Sequence, residues 1–164
     1  KDKSQELVHK LEKELNQAQT PKDLKKNRKT VLPWSPDGIL WGKQTLFDDV
    51  IRHSGLNNLL SLRGITGWVK VSDEVVSQLQ PDWIITTGDP SQKKQILVTL
   101  QKSMTHRHMR ATSKSRVIIV PPRWMSSTSH HIIKAVRYIK YQTKEKSTQV
   151  KLNNSPKSKR LQNL

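Results

Sequence analysis

Apolar positions in this chain alternate between two rhythms, one helical and one of short continuous runs. Leu7, Val8, Leu11 and Leu15 recur at helical spacing among Glu and Lys, which predicts an amphipathic helix over 6–19, ended by Thr20 and Pro21. A basic connection or short helix over 23–29 leads into a first predicted strand at 30–34, closed by Pro33 and Pro36. After an Asp37-Gly38 turn, Leu46, Val50 and Ile51 mark a second helix, with Thr45 as its cap and Gly55 as its stop. Residues 57–67 read as loop, with a short fourth strand near 58–62.

The segment 68–86, WVKVSDEVVSQLQPDWIIT, carries the strongest local signal. Ser72 reads as a helix N-cap, and Asp73 and Glu74 fall in the first turn, where the helix dipole favours carboxylates. Val75, Val76 and Leu79 supply the apolar stripe, Pro81 stops the helix, and Trp83, Ile84 and Ile85 form a short buried strand. A helix that passes so quickly into an apolar strand is half of an α/β crossover unit. Trp68 lies just before it, on the loop side. Gly88-Asp89-Pro90 then reads as a turn, and Ser91 as the cap of a third helix carrying Ile96, Leu97 and Leu100. Residues 104–114 read as polar, basic loop. Residues 116–120 (RVIIV) form a strand of the kind buried on both faces, and Pro121 and Pro122 end it. A last helix carries Ile132, Ile133, Val136 and Ile139, and beyond Tyr141 the apolar pattern stops.

The predicted fold is therefore an α/β class: a small, mainly parallel sheet with flanking helices (a Rossmann-like lobe), preceded by a long helix and followed by a disordered basic tail. The expected division is a linker helix at 1–22, the α/β lobe at 23–141 and the tail at 142–164. In open parallel sheets ligands sit beyond the carboxyl ends of the strands. That rule selects the loops 34–41, 88–90 and 121–127, and Trp68 joins them as the residue before a helix. Four of the five tryptophans fall at such positions, and Trp83 alone sits in an apolar strand.

Composition narrows the function. The hydrophobic fraction of 33% is low for 164 residues, so part of the chain is expected to lie outside the packed core. With no cysteine, disulfides, cysteine–zinc sites and thiol catalysis are excluded. No apolar run approaches the roughly 18 residues of a bilayer span, and the first residues are too charged for a secretory signal. The chain starts at Lys1 without methionine, as a processed or truncated product would. The net charge is +17, unevenly spread: residues 32–100 carry six Lys/Arg against seven Asp/Glu, whereas 101–141 carry nine and none. Such an excess suits an anionic partner, whether nucleic acid, anionic lipid or a small anionic ligand, or simply a solvated basic surface and tail. A catalytic reading finds no Gly-x-Ser-x-Gly elbow, no phosphate-cradling glycine loop and no His-Glu-x-x-His, which argues against an enzyme. No cofactor is expected.

Taken in order, four pieces resemble the carboxyl-terminal lobe of the iron-siderophore and cobalamin class of ABC-transporter solute-binding proteins, most nearly its cobalamin binders. They are GKQTLFDDVIRHSGLNNL (42–59), WVKVSDEVVSQLQPDWIIT, TGDPSQKKQI (87–96) and PPRWMSSTSHHIIKAV (121–136). The resemblance spans roughly 29–141, and the helix at 6–19 looks like the end of that family's long inter-lobe helix. It implies a substrate-binding component of an importer for cobalamin, haem or an iron-siderophore, resident in the periplasm or cell envelope. It also implies a partner set: a small metal chelate or corrinoid, the membrane permease, and an amino-terminal lobe that this chain lacks.

The resemblance further implies roles for single residues. Trp68 would stack on ligand, Trp34 and Trp124 would line the same cleft, and Glu74 would dock onto permease arginines. Arg63 and Arg123, in predicted rim loops, could pair with ligand oxygens or haem propionates. Each has a plainer reading: packing under loops for the rings, surface charge for the arginines, and a complement to the helix dipole for Glu74. Asp37 and Asp89 sit beside glycine as turn formers. Met104, His106, His108 and Met109 invite a metal, but no carboxylate lies near them. His130 and His131 point to adjacent helix faces and cannot chelate together. The rival reading is a basic nucleic-acid-binding module, for which the chain shows no recognised reading helix or RNA-binding motif. A non-binding fragment is the third.

Overall fold

The computed structural model describes residues 28–71, 75, 76, 78–125 and 131–153, with side chains to residue 144. The predicted helix over 6–19, Ser72, Asp73, Glu74 and the residues after Asn153 lie outside these. Four strands form a parallel sheet in the order β3-β1-β5-β6: β1 (Thr30–Pro33), β3 (Asn57–Asn58), β5 (Trp83–Thr87) and β6 (Val117–Val120). Successive residues of the central strands point to opposite layers. Val31, Trp83, Ile85, Ile118 and Val120 pack under α1 (Leu46–His53) and α6 (His131–Asn153). Leu32, Ile84, Val117 and Ile119 pack with Leu60 of α2 (Leu59–Leu62), Leu100 of α3 (Lys93–Lys102), and Ala111 of α4 (Arg110–Ser113). Burial on both faces is why these strands read as unbroken apolar runs.

Local chemistry sets the element ends. The Thr45 hydroxyl accepts the Asp48 N–H at the start of α1. At its end Gly55 takes φ 79, with Gly55 N–H bonded to the Arg52 carbonyl and Leu56 N–H to that of Ile51. This pattern needs the left-handed conformation that glycine adopts without strain. Asp82 stitches the starts of two neighbouring strands: its Oδ2 accepts the Thr30 N–H at 3.0 Å and the Thr30 hydroxyl at 3.1 Å, and its Oδ1 meets Arg110 at 3.2 Å. Burial raises the Asp82 pKa, but the Thr30 bonds and the Arg110 charge outweigh it and hold the carboxyl below its ordinary value. A group lowered in the folded state stabilises fully above its unfolded pKa of about 3.9 and stops doing so as pH falls through the folded value. Asp82→Asn is therefore expected to lose about 1–2 kcal/mol at neutral pH, with the gap to wild type closing below about pH 4. Urea midpoints at pH 7 and pH 3 check it.

The structure departs from expectation in several places. Within 57–67 the fourth strand is only Asn57–Asn58, and Leu59–Leu62 is helical. Ser91 does not cap the third helix: it lies inside a short 3-10 turn (Pro90–Gln92) that the Asp89 carboxylate opens by accepting the Ser91 N–H, and α3 follows with Gln92 at its N-cap and no side-chain cap bond. Residues 104–114 are not a solvated basic loop, because Met109, Ala111 and Thr112 are fully buried and Arg110–Ser113 is helical. The last helix continues past Tyr141 to Asn153, with Thr143 buried and its hydroxyl bonded to the Ile139 carbonyl at 2.9 Å. Finally, β2 (Ile39–Trp41) and β4 (Trp68–Lys70) pair antiparallel as a separate two-stranded sheet where loops were expected.

Candidate functional site

The strand order reverses between β1 and β5, since β3 lies on one side of β1 and the later strands on the other. A crevice is expected there, beyond the carboxyl ends. The small β2–β4 sheet stands at that edge. β1 runs into Trp34, which pairs with Leu40 after a tight turn at Ser35–Gly38, where Gly38 N–H bonds to the Ser35 carbonyl at 2.9 Å. Asp37 contacts the Ser35 hydroxyl and is a turn former, as its place beside glycine predicts.

The β2–β4 sheet has two unlike faces. Leu40 and Val69 face one another across the ladder and belong to the apolar layer beneath. Ile39 opposes Lys70, and Trp41 opposes Trp68, on the other face. Trp41 is half-buried and stacks on Phe47, with centroids 4.4 Å apart. Trp68 is 70% exposed. The neighbouring loop is held by backbone bonds: Gly42 N–H to the Gly67 carbonyl at 2.7 Å, Lys43 N–H to that of Ile65 at 2.8 Å, and Gly67 N–H to that of Lys43 at 2.8 Å. Arg63, exposed at the end of α2, belongs to this same loop.

The other expected site residues scatter more widely. Trp34 is 5% exposed, edge-on to His106 at 5.4 Å, and packed among Leu32, Leu40 and Leu60. The expectation of a cleft ring does not hold at this position: the chain folds back over Trp34 into β2, leaving no open indole face. Arg123 is exposed on α5 (Pro122–Met125), and Trp124 is half-buried there, edge-on to Tyr138 at 5.7 Å. Both follow β6 and so share the carboxyl edge with Trp68, but from the far end of the sheet. Glu74 lies outside the described residues. His106 bonds to the Ser103 hydroxyl at 2.8 Å, and among the described residues no three His, Cys, Asp or Glu side chains gather as metal ligands would.

Sequence reasoning overlooked the pairing of Trp41 with Trp68. The Asp37-Gly38 signal marks only the turn that returns the chain from Trp34 to Leu40; the pairing of β2 with β4 joins segments far apart in the chain and has no local signal.

Comparison with known proteins agrees with this architecture. The periplasmic binding protein family matches residues 1–124. No curated protein matches the chain in sequence. Among solved structures, a periplasmic binding protein from Veillonella parvula is 21% identical with a TM-score of 0.69, covering 84% of this chain and 49% of its own. The periplasmic haem-binding protein of Vibrio cholerae is 18% identical with a TM-score of 0.67, covering 84% and 55%. An ABC-type ferric hydroxamate transport protein from Saccharomonospora viridis is 16% identical with a TM-score of 0.65, covering 84% and 48%. At these identities the likeness is one of fold, and the chain spans about half the length of the structures it resembles. Among the described residues no helix is long and apolar enough to cross a membrane. With well over half of its length matched, the chain belongs to the periplasmic binding protein family, whose members bind solutes and are not enzymes.

Proposed function

We propose that this chain is a solute-binding lobe of an ABC importer, taking a planar or macrocyclic metal chelate: haem, an iron-siderophore or a corrinoid. The observation that carries the reading is Trp68, an indole 70% exposed on the same strand face as Trp41, at the carboxyl edge of a parallel sheet. A ring that large left in water forfeits its burial energy in the free protein and recovers it when a flat ligand covers it. Arg63, on the adjoining loop, and Arg123, at the far end of the same edge, would meet ligand carboxylate or catecholate oxygens, as a guanidinium fork does well. Trp124 would extend the rim. Relatives of the same fold include haem and ferric hydroxamate binders, which supports this ligand class.

The chain supplies one side of a clamp. A second lobe would close over Trp68, residues 1–22 would be the end of the helix joining the lobes, and 23–141 the lobe itself. Release would follow separation of the lobes rather than any chemistry. Glu74 would dock on cationic residues of the permease, in the periplasm or cell envelope. The basic second half lends the nucleic-acid reading little: Arg110 is paired to Asp82, and Arg116 lies over the Trp83 ring at 5.8 Å.

Tryptophan fluorescence titrated with haemin, cyanocobalamin and ferrioxamine B tests the proposal. At least one chelate is expected to quench the wild type, and Trp68→Ala is expected to weaken that ligand at least tenfold, as loss of an aromatic anchor does. Its folding free energy should stay within about 0.5 kcal/mol of wild type, because so exposed a side chain contributes little to folding. If no chelate quenches, even with a second lobe from a relative supplied, the reading fails.

A further inference from the structure

Asn58 is 4% exposed, although its side chain is polar throughout. Its two side-chain atoms do separate work. Oδ1 accepts the Leu60 N–H at 3.1 Å and caps α2. Nδ2 donates to the Trp41 carbonyl at 2.9 Å, across 17 residues of sequence. Its backbone lies in β3, opposite Val31 of β1. One buried amide thus joins the edge of the parallel sheet, the start of α2, and the strand that carries Trp41. A two-stranded ribbon is marginal alone, so its attitude to the sheet depends on such ties. Below it, Asp48 accepts the Ser61 hydroxyl at 2.5 Å and links α1 to α2, so the base to which Asn58 is fixed is itself braced.

We infer that Asn58 is the positioning residue of the Trp41–Trp68 pair: its Nδ2–H sets how β2, and with it β4, stands off the sheet edge. Trp41 is the cross-strand partner of Trp68, so a shift of the Trp41 carbonyl carries Trp68 with it. This role rests on the proposed reading of the indole face as a ligand surface. Asn58 touches no ligand in it and acts through the strand.

Asn58→Asp separates positioning from simple support. The aspartate has the same shape and still accepts the Leu60 N–H, so the cap survives. An ionised carboxylate cannot donate, and it would bring an acceptor oxygen against the Trp41 carbonyl. Burial and that facing carbonyl raise its pKa against the opposing pull of the Leu60 N–H bond, and once protonated it donates again. Two probes whose charge does not change between about pH 5 and 8 are cyanocobalamin and ferrioxamine B, so quenching by each is measured at both ends of that range. Near-UV circular dichroism of the ligand-free protein is recorded in parallel, with Trp68→Phe identifying the Trp68 contribution. At pH 8 the Asn58→Asp protein is expected to bind at least tenfold more weakly than wild type and to show an altered Trp68 signal. At pH 5 both should return towards the wild-type values measured at that pH, while Asn58→Ala should remain impaired at both. An Asn58→Asp protein that matches wild type at both pH values, or is equally impaired at both, overturns the inference. If neither chelate quenches wild type, the haemin titration decides the proposed function, and the Trp68 signal still decides the role of Asn58.

Discussion

Trp83→Ala is expected to cost about 3–5 kcal/mol of folding stability, the usual range for removing a large buried aromatic. Trp83 is fully buried at the start of β5, which lies between β1 and β6. It shares its layer with Val31, Val50, Ile51, Ile118, Val136 and Ile139, contributed by two other strands and two helices. Those neighbours are held by backbone ladders and cannot close on the space, so a cavity would remain and its lining would lose its contacts. Arg116, whose guanidinium carbon is 5.8 Å from the ring centroid, would lose that face as well. Domains of this size hold about 5–15 kcal/mol in all, so the variant should sit near the edge of unfolding at 37 °C. Urea denaturation checks this: the midpoint should fall sharply with the slope unchanged, and Trp83→Phe should recover part of the loss. A Trp83→Ala shift under about 1 kcal/mol would mean that the two layers do not meet on this strand as described.

Gly42→Ala should be the second most damaging single change, through added rather than lost atoms. A Cβ on Gly42 would stand 2.2 Å from the Ile65 carbonyl oxygen and 2.9 Å from its carbon. Both are backbone atoms, and the same Ile65 oxygen already accepts the Lys43 N–H at 2.8 Å. No rotamer change relieves that contact, so the 65–67 loop must leave the end of β2, breaking the bonds that join Gly42, Lys43 and Gly67. Overpacking of this kind costs about 1–3 kcal/mol, and here the upper end is expected because backbone bonds break with it. The functional effect should exceed the stability effect, since Gly67 immediately precedes Trp68. Thermal unfolding paired with acrylamide quenching of the exposed indole measures both. A Gly42→Ala protein with an unchanged melting temperature and unchanged quenching would show that the loop does not hold Trp68 in place.

These two residues stand at opposite ends of what a reader of the chain can foresee. Trp83 is legible because it sits in an apolar run behind a stretch that reads as a proline-terminated helix, and a run buried on both faces has few other places to go. Gly42 is not, because nothing in Trp-Gly-Lys says that a carbonyl from residue 65 will press against it. Thr45 at the head of α1 and Gly55 at its end were also legible, since both act within a few residues of themselves. Ser91 misled because Asp89, two residues earlier, offers the stronger acceptor to the same stretch of backbone. Residues 104–114 misled because charge dominates the segment while two of its three apolar members, Met109 and Ala111, enter the core and Met104 stays exposed.

The amino-acid sequence by itself determined the α/β class, the three main strands, the ends of α1 and the unbroken apolar character of the sheet. These follow from periodicity and from caps and stops whose partners are near in the chain. Only the tertiary structure decided which tryptophans are core and which are surface. Trp34 and Trp68 look alike in sequence, each beside a predicted loop, yet one is sealed and the other open to water. That difference depends on where the chain returns in space. The turn after β1 brings Leu40 down over Trp34, and the pairing of β2 with β4 turns Trp68 outward beside Trp41.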